Sequence, residues 1–273
     1  MTDTPSGALP PPPPSTAPIP PDGGGRRGRA QTTGVIAVVV ALVLGGLIAV
    51  TLLVRGGGDD ASDPTAPAML TTVPPVDLPS VDGFAFGTAP CAPADVAEPV
   101  RVFDGAPQQC IDPTHTYSAV VTTNHGSFTI ELDVAHSPGT VNNFVTLARS
   151  RYYDGTGCHR VIAGFVVQCG RPGDDERAPG YTIPDELPQL GDYDLGVVAM
   201  ANTGLPDSGG GQWFIITGTD GASLPPQYSI VGRVVDGYDT TVTALADLAD
   251  PNAANGVPPL DPIDIESIEI VEG

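Results

Sequence analysis

The stretch Tyr152-Tyr-Asp-Gly-Thr-Gly-Cys-His-Arg-Val-Ile-Ala-Gly-Phe-Val-Val-Gln-Cys-Gly170 decides the fold. Cys158–Ile162 and Phe165–Cys169 are short, mostly apolar runs either side of Ala163-Gly164, the pattern of a β-hairpin. Arg160 and Gln168 place polar groups in its two arms, and a cysteine stands at the far end of each arm. Taken alone, an arginine in such a strand is usually a solvated charge, and a phenylalanine such as Phe165 is usually core.

Upstream, Tyr117–Thr123 alternates apolar and polar residues, Asn124-His125-Gly126 makes a turn, and Ser127–Leu132 alternates again, which predicts another hairpin. Pro138 then precedes Val141, Phe144, Val145 and Leu147 at helical spacing, up to about Arg149; proline suits the first turn of a helix. Downstream, a charged loop rich in Gly and Pro runs from Gly170 to Gly180. Strands are expected at Gly196–Ala201, Gln212–Thr217, Tyr228–Val235 and Ile263–Val271, with a short helix near Thr240–Leu248. Many short strands with only two short helices imply a closed or nearly closed antiparallel barrel.

The rest of the chain has a different texture. Residues 1–33 hold Pro10–Pro14 and Gly23–Gly25 and are expected to be a disordered, Pro-rich cytoplasmic segment. Residues 34–54 are uncharged and rich in Val, Leu, Ile and Ala, long enough for a transmembrane helix across roughly 30 Å of hydrocarbon. A cleaved signal peptide would have a shorter apolar part, and no A-x-A site follows Val54 directly. Arg26, Arg27 and Arg29 precede this span and Arg55 alone follows it at once. The expected topology is therefore single-pass in the cell membrane, with the N-terminus in the cytoplasm and the bulk of the chain outside. Residues 55–90 read as an extended acidic linker, 91–115 as a disulfide-bearing extension and 116–273 as the folded domain.

All 11 basic residues are arginine, against 32 acidic residues, for a net charge of -21. Nucleic acid is thereby excluded as a partner, because phosphate binding relies on clustered Lys and Arg. The four cysteines, Cys91, Cys110, Cys158 and Cys169, are an even number in a domain expected to be exported, which favours disulfides. No C-x-x-C spacing supports a zinc site or a thiol oxidoreductase, and no metal is expected.

Five blocks carry a family resemblance. The stretch from Tyr152 to Gly170 resembles the cyclophilin signature around F-H-R-V-I-P-G-F-x-x-Q-G-G. Gly180-Tyr-Thr-Ile-Pro-Asp-Glu186 resembles that family's G-Y-T-I-x-D-E loop, and Met200-Ala-Asn-Thr-Gly204 resembles M-A-N-A-G. Gly211-Gln-Trp-Phe-Ile215 resembles S-Q-F-F-I, and Gly232-Arg-Val-Val-Asp-Gly237 resembles G-x-V-x-x-G. The blocks occur in family order across residues 116–272. The resemblance implies a mainly β fold, a closed eight-stranded antiparallel barrel capped by two α-helices, and peptidyl-prolyl cis-trans isomerase activity without a cofactor. Arg160, Gln168 and Phe165 are the implied catalytic residues. Val166, Ala201, Asn202, Gln212, Phe214, Leu224 and Tyr228 are the implied substrate-binding residues. Strand alternation agrees, since Gln212 and Phe214 share a face while Trp213 points inward. His159, by parity opposite Arg160, is expected to be structural. The implied partners are proline-containing segments of exported polypeptides, bound by a monomeric domain.

Several positions depart from the pattern. Ser223 stands in Ala222-Ser-Leu-Pro-Pro-Gln-Tyr228 where many members have Trp, so a thinner proline pocket and reduced affinity for cyclosporin are expected. Tyr228 falls where His is common and is expected to close part of the gap. Asp207-Ser-Gly-Gly-Gly211 is longer by one residue than usual, which bears on substrate preference. A binding module of the same fold without useful turnover is the rival reading. Cys158 and Cys169 replace Phe and Gly, and their joint appearance suggests a disulfide. Regular alternation argues against it, because it puts Cys158 with Arg160 and Cys169 on the opposite face; a bulge near Gly164 or Gly170 would reconcile the two.

Overall fold

A computed structural model describes residues 83–173 and 178–273. The expected transmembrane helix at 34–54, the segment 1–33 and most of the 55–90 linker lie outside the described residues. Among the described residues no helix is long and apolar enough to cross a membrane.

Nine strands form one antiparallel sheet, ordered β3-β9-β1-β2-β8-β6-β7-β5-β4. β1 (Tyr117–Thr123) and β2 (Gly126–Leu132) are the predicted hairpin, paired from Ser118 opposite Glu131 to Thr123 opposite Gly126. Their alternation is why Ala119, Val121, Phe128 and Ile130 are buried. β3 (Thr156–Gly157) lies on β9 (Asp264–Glu272), and β4 (Arg160–Ile162) pairs with β5 (Val166–Cys169). β6 (Val197–Met200), β7 (Trp213–Ile216) and β8 (Ile230–Asp236) complete the sheet.

The expectation of eight strands is corrected to nine, because the two-residue β3 is too short to show a period. Closure is also slighter than a full barrel implies. The curled sheet meets itself through one bridge, Gly157 to Arg171, with the Gly170 N–H donating to the Gly157 carbonyl at 3.2 Å.

Helix α1 (Pro138–Arg149) starts at proline as predicted, and packs Phe144 and Leu147 into the core. Its N-terminal N–H groups are satisfied from a distance: Glu186 accepts from the N–H of Gly139 and of Thr140 at 3.0 and 2.6 Å. The helix near residue 240 is a π turn, Tyr238–Val242, running into α3 (Thr243–Ala246). A further one-turn helix, α2 (Thr219–Ala222), corrects the count of two helices; it is too short to show helical spacing.

All four residues of β7 are buried, because the sheet is covered on both faces there. Trp213 and Ile215 enter the main core with α1, while Phe214 and Ile216 join Val166, Ala199 and Tyr193 in a smaller cluster on the other face. The segment after α2 lays Leu224 and Tyr228 onto that second cluster.

Both expected disulfides are present, Cys91–Cys110 and Cys158–Cys169. The alternation conflict is resolved neither at Gly164 nor at Gly170. Cys169 keeps its regular place opposite Trp213, facing the core. Cys158 is the displaced residue: its N–H still donates to Ile263 next to β9, whereas Arg160 two residues on already pairs with β5. The chain changes neighbours between them, and this corner turns Cys158 inward.

Candidate active site

The β4–β5 register sets Arg160 directly opposite Gln168, and the β5–β7 register sets Gln168 opposite Phe214. A row of hydrogen bonds runs along this edge. Gln168 Nε2 donates to Gln212 Oε1 at 3.0 Å, and Arg160 Nη1 donates to Gln168 Oε1 at 3.3 Å. Arg160 Nε donates to the Asn255 carbonyl at 3.2 Å and Nη2 to Asn255 Oδ1 at 3.1 Å. Among the described residues these bonds occupy three of the five guanidinium N–H groups, leaving two for a ligand. The guanidinium carbon lies 5.6 Å from the Phe165 ring centroid, within cation–π range. Burial lowers the Arg160 pKa from its ordinary value, and Tyr228 acts in the opposite sense. So high a starting value leaves the side chain charged.

Beside this row lies an apolar floor. Phe214 meets Tyr228 edge to face with centroids 5.2 Å apart, and Phe165, Leu224 and Ala201 pack around it with Val166. Phe165 reaches the same side as Val166, its chain neighbour, because it sits in the hairpin turn, outside strand alternation. Tyr228 is held by the Tyr193 hydroxyl, which donates to the Tyr228 carbonyl at 2.7 Å and accepts from its N–H at 2.9 Å. Ser223 is exposed and caps α2, its hydroxyl donating to the Thr219 carbonyl at 2.8 Å. It adds little apolar wall, as its size implied.

The structure brings the residues named from the sequence as catalytic or substrate-binding to this face, with one adjustment. The Asn202 side chain braces the rim, with Nδ2 donating to the Gln227 carbonyl at 2.8 Å and Oδ1 accepting the Gly204 N–H at 3.0 Å. A cavity of about 530 Å³ continues from Gln168 and Gln212 past Ala201 and Asn202 to Pro179 and Tyr181. A larger hollow of about 1040 Å³, near Leu132 and Arg233, includes none of these side chains.

Asn255 is the residue that sequence reasoning missed. It has φ 57°, in the left-handed region, and the following Gly256 has φ 71°. A Cβ on Gly256 would meet the Val161 carbonyl oxygen at 2.4 Å, so only glycine lets this turn lie against β4 beside Arg160. The Asn-Gly dipeptide was the available signal, since it marks a turn of this kind.

His159 is partly buried with Nδ1 enclosed. Burial, followed by the positive charges of Arg171 and Arg160, pushes its pKa down to about 4, and a hydrogen bond to the Gly157 backbone is the one influence that raises it. It is therefore neutral at neutral pH.

Residues 118–270 match the family described as cyclophilin type peptidyl-prolyl cis-trans isomerase/CLD. The chain belongs to the cyclophilin family. It is similar to peptidyl-prolyl cis-trans isomerase A of Mycobacterium tuberculosis, with 36% identity over 176 residues, covering 58% of this chain and 94% of that protein. It is also similar to a probable peptidyl-prolyl cis-trans isomerase B of Mycobacterium leprae, with 32% identity over 171 residues. There the match spans 57% of this chain and 57% of the relative, little more than half its length. Among solved structures, a Cryptosporidium parvum cyclophilin type peptidyl-prolyl cis-trans isomerase aligns with TM-score 0.50 and 29% identity, over 58% of this chain and 99% of that one. The mainly β cyclophilin fold follows from sequence and structure alike, and these homologues are consistently named as peptidyl-prolyl isomerases.

Proposed function

We propose that this cyclophilin accelerates X-Pro isomerisation in exported polypeptides, with Arg160 stabilising the twisted amide. The row Asn255–Arg160–Gln168–Gln212 beside the Phe165–Phe214–Tyr228 floor is the observation that carries the reading. An X-Pro bond rotates slowly because amide resonance sets a barrier of roughly 18–20 kcal/mol. Twisting breaks that resonance, and the prolyl nitrogen pyramidalises and gains a lone pair. A guanidinium beside it donates to that lone pair only in the twisted state, which lowers the barrier without strengthening ground-state binding. The floor holds the proline ring, and Gln168 and Asn255 fix the angle of the guanidinium. The step breaks no covalent bond, so the proposed mechanism uses neither nucleophile nor cofactor.

The extracytoplasmic, membrane-anchored placement is part of the proposal. The uncharged span 34–54 and the arginine imbalance around it support it, as do two disulfides, bonds that persist in oxidising compartments. A monomeric domain that acts on accessible proline-containing segments suits the open groove. The test is acceleration of cis-trans exchange in a proline tetrapeptide by the full chain, compared with Arg160→Ala. The expected result is clear catalysis by the wild type and loss of most of it in the variant. A folded wild type without catalysis would favour a binding module instead.

A further inference from the structure

We propose that the segment preceding the barrel sets how tightly the groove holds substrate residues remote from the proline ring, with Phe103 as the positioning residue. The inference rests on the isomerase reading above and concerns the cavity between Gln212 and Tyr181.

That segment begins outside the family match, and it is firmly tied down. Cys91–Cys110 closes it on itself, and Gly87 and Ala89 donate backbone bonds to Pro107 and Ala106, both at 3.0 Å. The buried Asn142 side chain on α1 accepts from the N–H of Cys110 at 2.6 Å and of Ile111 at 3.2 Å, and donates to the Gln108 carbonyl at 2.9 Å. Arg101 donates to the Tyr152 and Asp154 carbonyls. The stretch around Phe103 is thus held at both ends.

One wall of the cavity is formed by residues 178–182, the other by 201–203, Ser208 and 210–212. The first wall contains no strand; just beyond it, a single bridge joins Ile183 to Gly209. Phe103 stands behind this wall. Its N–H donates to the Pro179 carbonyl at 2.8 Å, and its ring meets Tyr181 edge to face at 6.1 Å. A Cβ on Gly180 would lie 2.7 Å from the Phe103 carbonyl oxygen, so the two backbones are in close contact. Tyr181 passes the position on: its hydroxyl donates to Asn143 Oδ1 at 2.7 Å, and Asn143 Nδ2 donates to the Gly210 carbonyl in the opposite wall at 2.7 Å. Removing the Phe103 ring leaves Tyr181 with its bond to Asn143 and loosens this wall, while the bonds of Arg160 to Gln168 and Asn255 do not involve it.

The experiment uses the full chain in detergent, two peptides with the same X-Pro centre, and both turnover and binding. One peptide is a tetrapeptide, and the other is extended on both sides. For Phe103→Ala, Kd and KM for the extended peptide should rise about tenfold, or ~1.4 kcal/mol. kcat and every constant for the tetrapeptide should stay within about twofold. Phe103→Tyr, which keeps the ring, should restore wild-type values. If Phe103→Ala does not fold, Phe103→Leu is read in the same way. Equal losses on both peptides, or none on the extended one, would overturn the proposal. Because binding is read separately, a wild type that binds both peptides without turning them over would sink the isomerase reading alone. A wild type that binds neither peptide would sink both.

Discussion

Replacing Asn255 with glycine should lower kcat/KM roughly tenfold while leaving the fold intact. Arg160 is oriented by the Asn255 carbonyl on Nε, Asn255 Oδ1 on Nη2 and Gln168 Oε1 on Nη1. Glycine accepts φ 57° without strain, so the backbone carbonyl bond survives and only Oδ1 is lost. Alanine would confuse the result, because a side chain in the left-handed region adds about 1–2 kcal/mol of strain. A hydrogen bond from a charged donor contributes about 1.5–3 kcal/mol, and Asn255 is exposed, so the lower end applies. About 1.5 kcal/mol off transition-state stabilisation is roughly tenfold in rate. The loss should fall on kcat, because the guanidinium engages the prolyl nitrogen only when the amide is twisted. Exchange spectroscopy on a proline tetrapeptide, with wild type, Asn255→Gly and Arg160→Ala side by side, reads this directly. Wild-type kcat in Asn255→Gly, beside an inactive Arg160→Ala, would refute the claim that Oδ1 orients the guanidinium.

Acid should destabilise the protein partly through His159. Its native pKa is lowered to about 4 from 6.5, so between those values the unfolded chain binds a proton that the native state does not. This contribution is fully present above pH 6.5 and is lost as pH falls towards 4, a change of ~3 kcal/mol. Urea unfolding across that window should show a steeper loss for wild type than for His159→Gln, and parallel curves would refute the assignment. Cyclosporin should bind at least about tenfold more weakly than to relatives with Trp in place of Ser223, since a lost aromatic wall contributes ~1.5 kcal/mol or more. Calorimetric titration giving ordinary high affinity would refute that.

The core of the site was legible in the sequence because a hairpin is a local object. Ala163-Gly164 marks the turn, but a two-residue loop would set Arg160 opposite Val167; Phe165 joins the loop in the structure, and that one-residue shift brings Arg160 opposite Gln168. The same period in Gln212–Phe214 separates the inward Trp213 from the groove side chains, and Pro138 starts α1 for reasons of local geometry. Strand parity and turn chemistry are written in neighbouring residues, so the two hairpins and the family blocks could be read directly, whereas the order of strands in the sheet could not.

What only the tertiary structure decided lies where the chain meets itself across long separations. Asn255 reaches Arg160 from 95 residues away, out of a loop with no period to betray it. Cys158 turns inward because the chain exchanges β9 for β5 there, a change of partner that alternation within one strand cannot express. Phe103 lies in a segment without strand or helix, and its place behind Tyr181 follows from the Cys91–Cys110 clasp and the Asn142 side chain. In each case packing, rather than periodicity, holds the residue in position.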